Sequence, residues 1–119
     1  MSSLSNLERA VLREIARQVP GHQQALEAQL DGASVIEREN TGAGFFTTLS
    51  VASGPPADGL KSPVGDVRAI VAGRKFEIGF LLWLQNGLLR KLEGYTYGQD
   101  STTGLDYATV SFSDVGPRV

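Results

Sequence analysis

Hydrophobic positions along the chain follow two periods. Leu7, Val11 and Ile15 recur at i, i+4 and i+8, with Ala10 and Leu12 widening the stripe and Arg9, Arg13, Glu14 and Arg17 on the opposite side. That 3.6-residue period predicts an amphipathic helix over 5–18. Ser5-Asn6-Leu7-Glu8 in front of it has the form of a capping box: the Ser5 hydroxyl accepts from the Glu8 amide while the Glu8 carboxylate reaches back to the Ser5 amide. Pro20 disfavours helical geometry at Val19, so a turn is expected at Pro20-Gly21. A shorter helix over 22–31 follows, with Ala25, Leu26 and Leu30 inward and Gly32 as its left-handed terminator. The two form a helical hairpin over 5–31.

From residue 34 the period falls to two. "SVIEREN" reads as a weak strand. In "FFTTLSVA", Phe45, Leu49 and Val51 face one way and Thr48 and Ser50 the other. "DVRAIVA" sets Val67, Ala69 and Val71 against Asp66, Arg68 and Ile70, and "DYATVSFS" sets Ala108, Val110 and Phe112 inward with Tyr107, Thr109 and Ser111 outward. Clean alternation marks a sheet covered on one face, and no helix-length pattern separates the strands, so the pairing is antiparallel. The expected fold is α+β: one domain over 1–119, with two N-terminal helices packed on a mainly antiparallel sheet of five or six strands over 34–113. The Pro- and Gly-rich 53–65 segment is expected to be a flexible loop.

The most apolar stretch is "GFLLWLQNGLLRKLEGYTYG", residues 79–98. Asn86-Gly87 between two apolar runs predicts a hairpin with a two-residue type I′ turn. Such a turn pairs Gln85 with Leu88, Leu84 with Leu89, Trp83 with Arg90, Leu82 with Lys91, Leu81 with Leu92 and Phe80 with Glu93. One face then carries Leu81, Trp83, Leu88, Arg90 and Leu92, and the other Phe80, Leu82, Leu84, Leu89, Lys91 and Glu93. Two helices cover one face. Phe80, Leu82, Leu84 and Leu89 are therefore read as needing cover from a curled sheet, from the 53–65 loop or from another protein chain.

Composition narrows the function classes. The chain has 119 residues, 41% hydrophobic, with a formal net charge of −2, which offers nothing to attract phosphate backbones or anionic lipid; nucleic acid and membrane are not expected as partners. There is no cysteine and a single histidine, His22, so disulfides, thiolate nucleophiles and Cys- or multi-His metal sites are excluded, and no cofactor is expected. The charged N-terminal stretch lacks the apolar core of a secretory signal, so a cytoplasmic location is expected.

Candidate chemistry is sparse. Gly42-x-Gly44 precedes a strand, where a dinucleotide loop follows one, so these glycines are read as a turn before Phe45. Glu37 and Glu39 share a strand face and read as charges guarding a sheet edge. His22 opens the second helix with no nucleophile signature beside it. Arg9, Arg13 and Arg17 recur along the first helix but are diluted by Glu8 and Glu14. The segment Leu92–Asp100 mixes Tyr95 and Tyr97 with Thr, Gly and Asp, the composition of a recognition surface, although alternate tyrosines also pack well on neighbouring strands. Arg90 and Glu93, with Tyr95, are the candidates for lining a ligand cleft.

Thr41–Thr47 ("TGAGFFT") and Gly79–Gly98 together resemble the sequence blocks of a family of small bacterial proteins to which no activity is assigned. The resemblance implies a bacterial, stand-alone domain and brings no catalytic residues; the tail "GQDSTTGLDY" departs from the Trp-Pro continuation of that family. The sequence thus reads as a non-enzymatic protein-interaction domain, homodimeric or immunity- or inhibitor-like. Its partner-binding residues would be Phe80, Leu82, Leu84, Leu89, Tyr95 and Tyr97. The alternative is a small-molecule binder or small enzyme using Arg, Glu and Tyr in a cleft.

Overall fold

Ser5 starts the first helix as its sequence requires. In the computed structural model, which describes residues 2–71, 77–97 and 101–118, the Ser5 hydroxyl accepts from the Glu8 amide at 3.1 Å and the Glu8 carboxylate accepts from the Ser5 amide at 2.7 Å. Helix α1 spans Asn6–Arg17 and buries Leu7, Glu8, Val11, Leu12, Ile15 and Ala16. A 3₁₀ turn at Pro20–His22 leads into α2, Gln23–Asp31, which buries Leu26, Gln29 and Leu30. Gly32 is not left-handed, contrary to expectation: its φ is −106°. A side chain there is excluded by the chain returning overhead, since a Cβ would lie 2.6 Å from the Ser53 hydroxyl.

Among the described residues six strands follow: β1 Ala33–Asn40, β2 Gly44–Val51, β3 Val64–Val71, β4 Glu77–Gln85, β5 Leu88–Thr96 and β6 Phe112–Pro117. They form one antiparallel sheet in the order β1-β2-β5-β4-β3-β6. This is the α+β fold read from the sequence, with both helices N-terminal. The helices lie on one face, over Phe45, Leu49, Val67, Ala69, Val71, Ile78, Phe80 and Leu82, and the Cα envelope is only 19 Å thick. That thickness fits one helix layer on one sheet.

The last strand is displaced from its expected place. Residues 107–109 form a turn and 110–111 are irregular rather than strand. Tyr107, expected outward, is buried, its ring stacked 3.9 Å from Phe45 and 6.3 Å from Phe80. A large aromatic stacked on Phe45 helps seal the inner face of the sheet, and that burial outweighs the local alternation. The 53–65 segment is tied to the body of the protein. Ala57 is buried and its amide donates to Gly87 O at 2.8 Å, while Pro55 O accepts from the Gln29 amide at 2.9 Å.

The β4–β5 hairpin turns where predicted, with Asn86 at φ 55° and Gly87 at φ 78°, as a type I′ turn requires. Gln85 pairs with Leu88 and Leu84 with Leu89. Beyond that point Arg90 is an extra residue: Trp83 faces Lys91, Leu82 faces Leu92, Leu81 faces Glu93 and Phe80 faces Gly94. A one-residue bulge changes the face of every position after it. It moves Leu92 beside Leu82 and Phe80, and moves Lys91 and Glu93 beside Trp83 and Leu81. Phe80, Leu82, Leu89 and Leu92 are all buried, with Leu84 packed at the margin of the same core. The face read as needing an outside partner is the face that the chain's own helices cover. Phe80, Leu82, Leu84 and Leu89 are core residues, and they are withdrawn as partner contacts.

One buried charge orients α1 on this sheet. Glu8 is fully buried, and its carboxylate accepts from Arg38 Nε at 2.9 Å, Arg38 Nη2 at 2.8 Å, Thr47 Oγ1 at 2.7 Å and the Ser5 amide at 2.7 Å. Burial pushes its pKa up. The hydrogen bonds from Arg38, Ser5 and Thr47, with the Arg38 charge, outweigh burial and hold it below the ordinary value. The carboxylate form is therefore favoured by folding. The stability it contributes is fully present above the unfolded value of about 4.5 and is lost as pH falls through the lower folded value. Glu8→Gln leaves Arg38 without its partner, and a loss of about 3 kcal/mol at neutral pH is expected by urea denaturation. Acidification below the unfolded carboxylate value should cost the variant less stability than it costs the parent chain; equal acid sensitivity would show that Glu8 does not carry this linkage.

Candidate functional site

The second face of the sheet carries no helix. On its central strands it presents Phe46 and Thr48 from β2, Lys91, Glu93 and Tyr95 from β5, and Leu81 and Trp83 from β4, in a register fixed by the pairs Phe46–Glu93, Thr48–Lys91, Leu81–Glu93 and Trp83–Lys91. These side chains hold one another. The Trp83 indole N–H donates to Glu93 Oε1 at 2.9 Å, and the Lys91 ammonium stands 5.1 Å from the centre of the Phe46 ring. Tyr95 lies across Gly79, so close that a Cβ there would meet its ring at 2.4 Å, and it packs edge-on against Tyr97 at 5.7 Å. Arg118 donates to the Tyr95 hydroxyl at 3.2 Å and sits over the Tyr97 ring at 5.1 Å. Trp83 is 38% exposed, and apart from Ile36 no other large hydrophobic among the described residues is as open.

Of the residues named from sequence, Tyr95 and Tyr97 lie on this face, both half-buried. The Tyr97 hydroxyl is buried without a partner, and burial, reinforced by the neighbouring Tyr95, raises its pKa while Arg118 opposes the rise. Glu93 is on the same face, engaged with Trp83. Residues 98–100 of the tyrosine-rich segment lie outside the described residues. Arg90, Glu93 and Tyr95 do not share a pocket: Arg90 is the bulge residue and lines a separate cavity with Leu49, Ser50, Val51, Gln85, Asn86, Leu88 and Leu89.

That cavity is a fork in the sheet. Strands β2 and β5 pair from Gly44–Tyr95 to Thr48–Lys91, and there the pairing stops. Beyond it Leu49–Val51 continue with β1, and Leu88 and Leu89 continue with β4. The fork encloses about 220 Å³. On the helix side it is stitched by Gln29, a fully buried residue of α2. Its carbonyl accepts from the Leu89 amide at 2.8 Å, and its amide donates to Pro55 O and Gly87 O, both at 2.9 Å. A side-chain amide thus takes the place of the strand that has diverged. Gln29 follows Leu26 by three residues, so helical spacing places it on the buried face; polarity alone argued for leaving it outside. Arg90 reaches across the fork next to its closed end, with Nη1 3.5 Å from Leu49 O. Arg17, Arg38, Arg68 and Arg118 each pair with a carboxylate within 4.0 Å, whereas Arg90, like Arg9 and Arg13, makes no such ion pair among the described residues.

The glycine turn before β2 is a clasp. The Gly42 amide donates to Asn40 Oδ1 at 2.9 Å, and Asn40 Nδ2 donates to Thr102 O at 2.7 Å and Leu105 O at 3.1 Å. Thr102 Oγ1 returns to Asn40 Oδ1 at 2.7 Å. An amide used in this way does not cradle phosphate. Gly44 then passes directly over β5, where a Cβ would lie 2.0 Å from Gly94 O. The "TGAGFFT" and "LEGYTY" segments are therefore adjacent strands in close contact.

The remaining candidates have structural partners or stand in solvent. Glu37 and Glu39 are exposed on edge strand β1, while Arg38 between them turns inward to Glu8. His22 Nε2 lies 3.0 Å from Asp58 O and ties the interhelical turn to the loop beneath it. Burial, with the nearby Glu8 charge, pushes the Tyr107 phenol well above its ordinary pKa, against the influence of Arg38, so it remains protonated. Among the described residues no three His, Cys, Asp or Glu side chains converge as metal ligands would.

Gln29→Ala removes all three hydrogen bonds at the fork and opens a cavity beneath it. A loss of about 2–3 kcal/mol is expected by urea denaturation. Hydrogen exchange should speed selectively at the Leu89 amide relative to Leu92, and unchanged exchange at Leu89 would show that Gln29 is not its partner.

No family model matches the chain, and comparison with curated proteins and with solved structures yields no match.

Proposed function

We propose that this chain acts by binding another protein rather than by catalysing a reaction, and that it does so with the helix-free face of its sheet, around Trp83, Leu81, Phe46 and Tyr95. The observation that carries this reading is the composition of that face. It brings together Trp, Tyr and Phe, residue types enriched at interface cores, on the central strands of a six-stranded sheet. Their mutual contacts hold the rings in place before any partner arrives, which lowers the entropic cost of association. The one buried carboxylate among the described residues, Glu8, has every acceptor position filled and its proton affinity lowered, a poor state for acid–base work. A bacterial, cytoplasmic setting belongs to the same reading. Among the described residues no helix is long and apolar enough to cross a membrane.

The test is site-specific photo-crosslinking in the cells of origin. A crosslinker in place of Leu81 should give a discrete protein adduct, whereas one in place of exposed Arg13 on α1 should not. Trp83→Ala should abolish the Leu81 adduct while changing stability by less than about 1 kcal/mol, since the side chain stands largely outside the core. Adducts from the helix side only, or from neither position, would overturn the reading. An adduct of twice the chain mass would identify the partner as a second copy.

A further inference from the structure

The fork between β2 and β5 is closed at both ends and beneath. The Thr48–Lys91 pair closes one end. Residues 52–57 span the other: the Ala52 amide donates to Gly32 O at 2.9 Å, Gly54 passes against Gln29, and the Ala57 amide donates to Gly87 O at 2.8 Å. Gln29 stitches the helix side. The side left open is the helix-free face. Alternation along the strands decides which lining residues stand there. Ser50 lies two residues past Thr48 on β2, and Gln85 lies two past Trp83 on β4, so both face away from the helices, as does Leu88 opposite Gln85. Gln85 and Arg90 are exposed and Ser50 and Leu88 half-buried, whereas Leu49 and Leu89, turned toward the helices, are buried. The fork is therefore a pit in the same surface as Trp83, one two-residue strand repeat away.

The pit combines apolar walls with a single charge. Leu49, Val51, Leu88 and Leu89 supply the walls, and Arg90 is the only charged residue that lines it. One Arg90 donor reaches Leu49 O at the limit of hydrogen-bond distance, and no carboxylate among the described residues pairs with the guanidinium. Lys91 follows it in the chain, and Glu93, two residues further from the fork, is engaged by the Trp83 indole. An anion entering the pit thus meets a cation and no competing acid. The volume, about 220 Å³, is below the roughly 300 Å³ at which pockets begin to enclose drug-sized molecules. It suits one side chain with an apolar stem and an anionic tip. Glutamate has both: its methylenes match the leucines, and its two oxygens match the planar fork of a guanidinium.

We propose that the fork is the anchor pocket of the helix-free face and receives a glutamate side chain of the partner protein, its carboxylate paired with Arg90. The proposal rests on the reading that this face binds a protein, and it names what that protein presents. The partner's surrounding surface covers Trp83 and excludes water from the ion pair, the arrangement in which such a pair contributes most.

The test extends the crosslinking from Leu81 to the rim of the pit. A photo-crosslinker in place of Gln85 should capture the same protein as one in place of Leu81, and mass spectrometry should place the Gln85 crosslink beside a glutamate. With that protein purified, Arg90→Glu should weaken binding by at least about tenfold, the effect of losing one charge-assisted pair. Arg90→Lys should retain part of the affinity. Replacing the partner's glutamate by arginine should restore binding to the Arg90→Glu chain and weaken binding to the parent chain. Unchanged thermal midpoints in both Arg90 variants would show that the effect is not one of folding. A Leu81 adduct without a Gln85 adduct, a Gln85 crosslink with no glutamate beside it, parental affinity in Arg90→Glu, or no rescue by the charge exchange would overturn the proposal and leave the interaction reading standing. The absence of any adduct from the sheet face would overturn both, so the two failures are distinguishable.

Discussion

The carboxylate of Glu8 fixes how the helical layer meets the sheet. Burying an ion costs several kcal/mol even after the surroundings relax, and the cost is offset only when every acceptor position is filled with good geometry. Here two donors come from one guanidinium on β1, one from a hydroxyl on β2 and one from the backbone of the helix's own N-cap. The demand is geometric. If α1 rolled by a few tens of degrees the carboxylate would lose Arg38 and Thr47 together. The C-terminal end of the helix is held in a similar way: the Gln18 side chain donates to Asp66 O at 3.2 Å and accepts from the Asp66 amide at 3.0 Å, where β3 carries an irregularity. The apolar stripe supplies most of the driving force for docking the helix, and the polar groups at its two ends supply its angle.

Much of this architecture could be read from the chain itself because it is encoded locally. The capping box, the 3.6-residue stripe, the antiparallel alternation and the Asn86-Gly87 turn are all present within a few residues of where they act. What was not legible depends on pairs distant in sequence. A capping box explains the attachment of Glu8 to Ser5 but gives no sign that the same carboxylate binds Arg38, thirty residues away. Tyr107 sits in a locally alternating segment and is drawn inward by Phe45, which no nearby pattern specifies. The hairpin is the instructive case. Its turn and first two pairs follow from Asn86-Gly87, but the extra residue at Arg90 reverses the facing of everything after it. Leu92 and Gly94 then meet the core while Lys91 and Glu93 meet solvent. That outcome matches their chemistry better than the unbulged register did, in which Glu93 stood opposite Phe80. The mismatch was the available signal for the bulge.

The same bulge links the buried half of the protein to its surface. Without it, β5 would place Lys91 and Glu93 under the helices and Leu92 in water. With it, the core closes on Leu82, Leu89 and Leu92, and the second face gains the Trp83–Glu93 and Lys91–Phe46 contacts. Because β5 bends at Arg90, it also parts from β2 there. Bulges commonly end pairing and redirect side chains in this way. Such a parting exposes main-chain donors and acceptors, a liability that proteins blunt with charge or by covering the edge. This chain does both, with Gln29 on the inner side and Arg90 beside the last β2–β5 pair. The two devices are not equivalent. Gln29 is buried and satisfied on every side, and nothing outside can compete with it. Arg90 is exposed and reaches Leu49 O only at the limit of hydrogen-bond distance, so its cover of the β2 edge is the weaker of the two and the buried amide carries most of the closure.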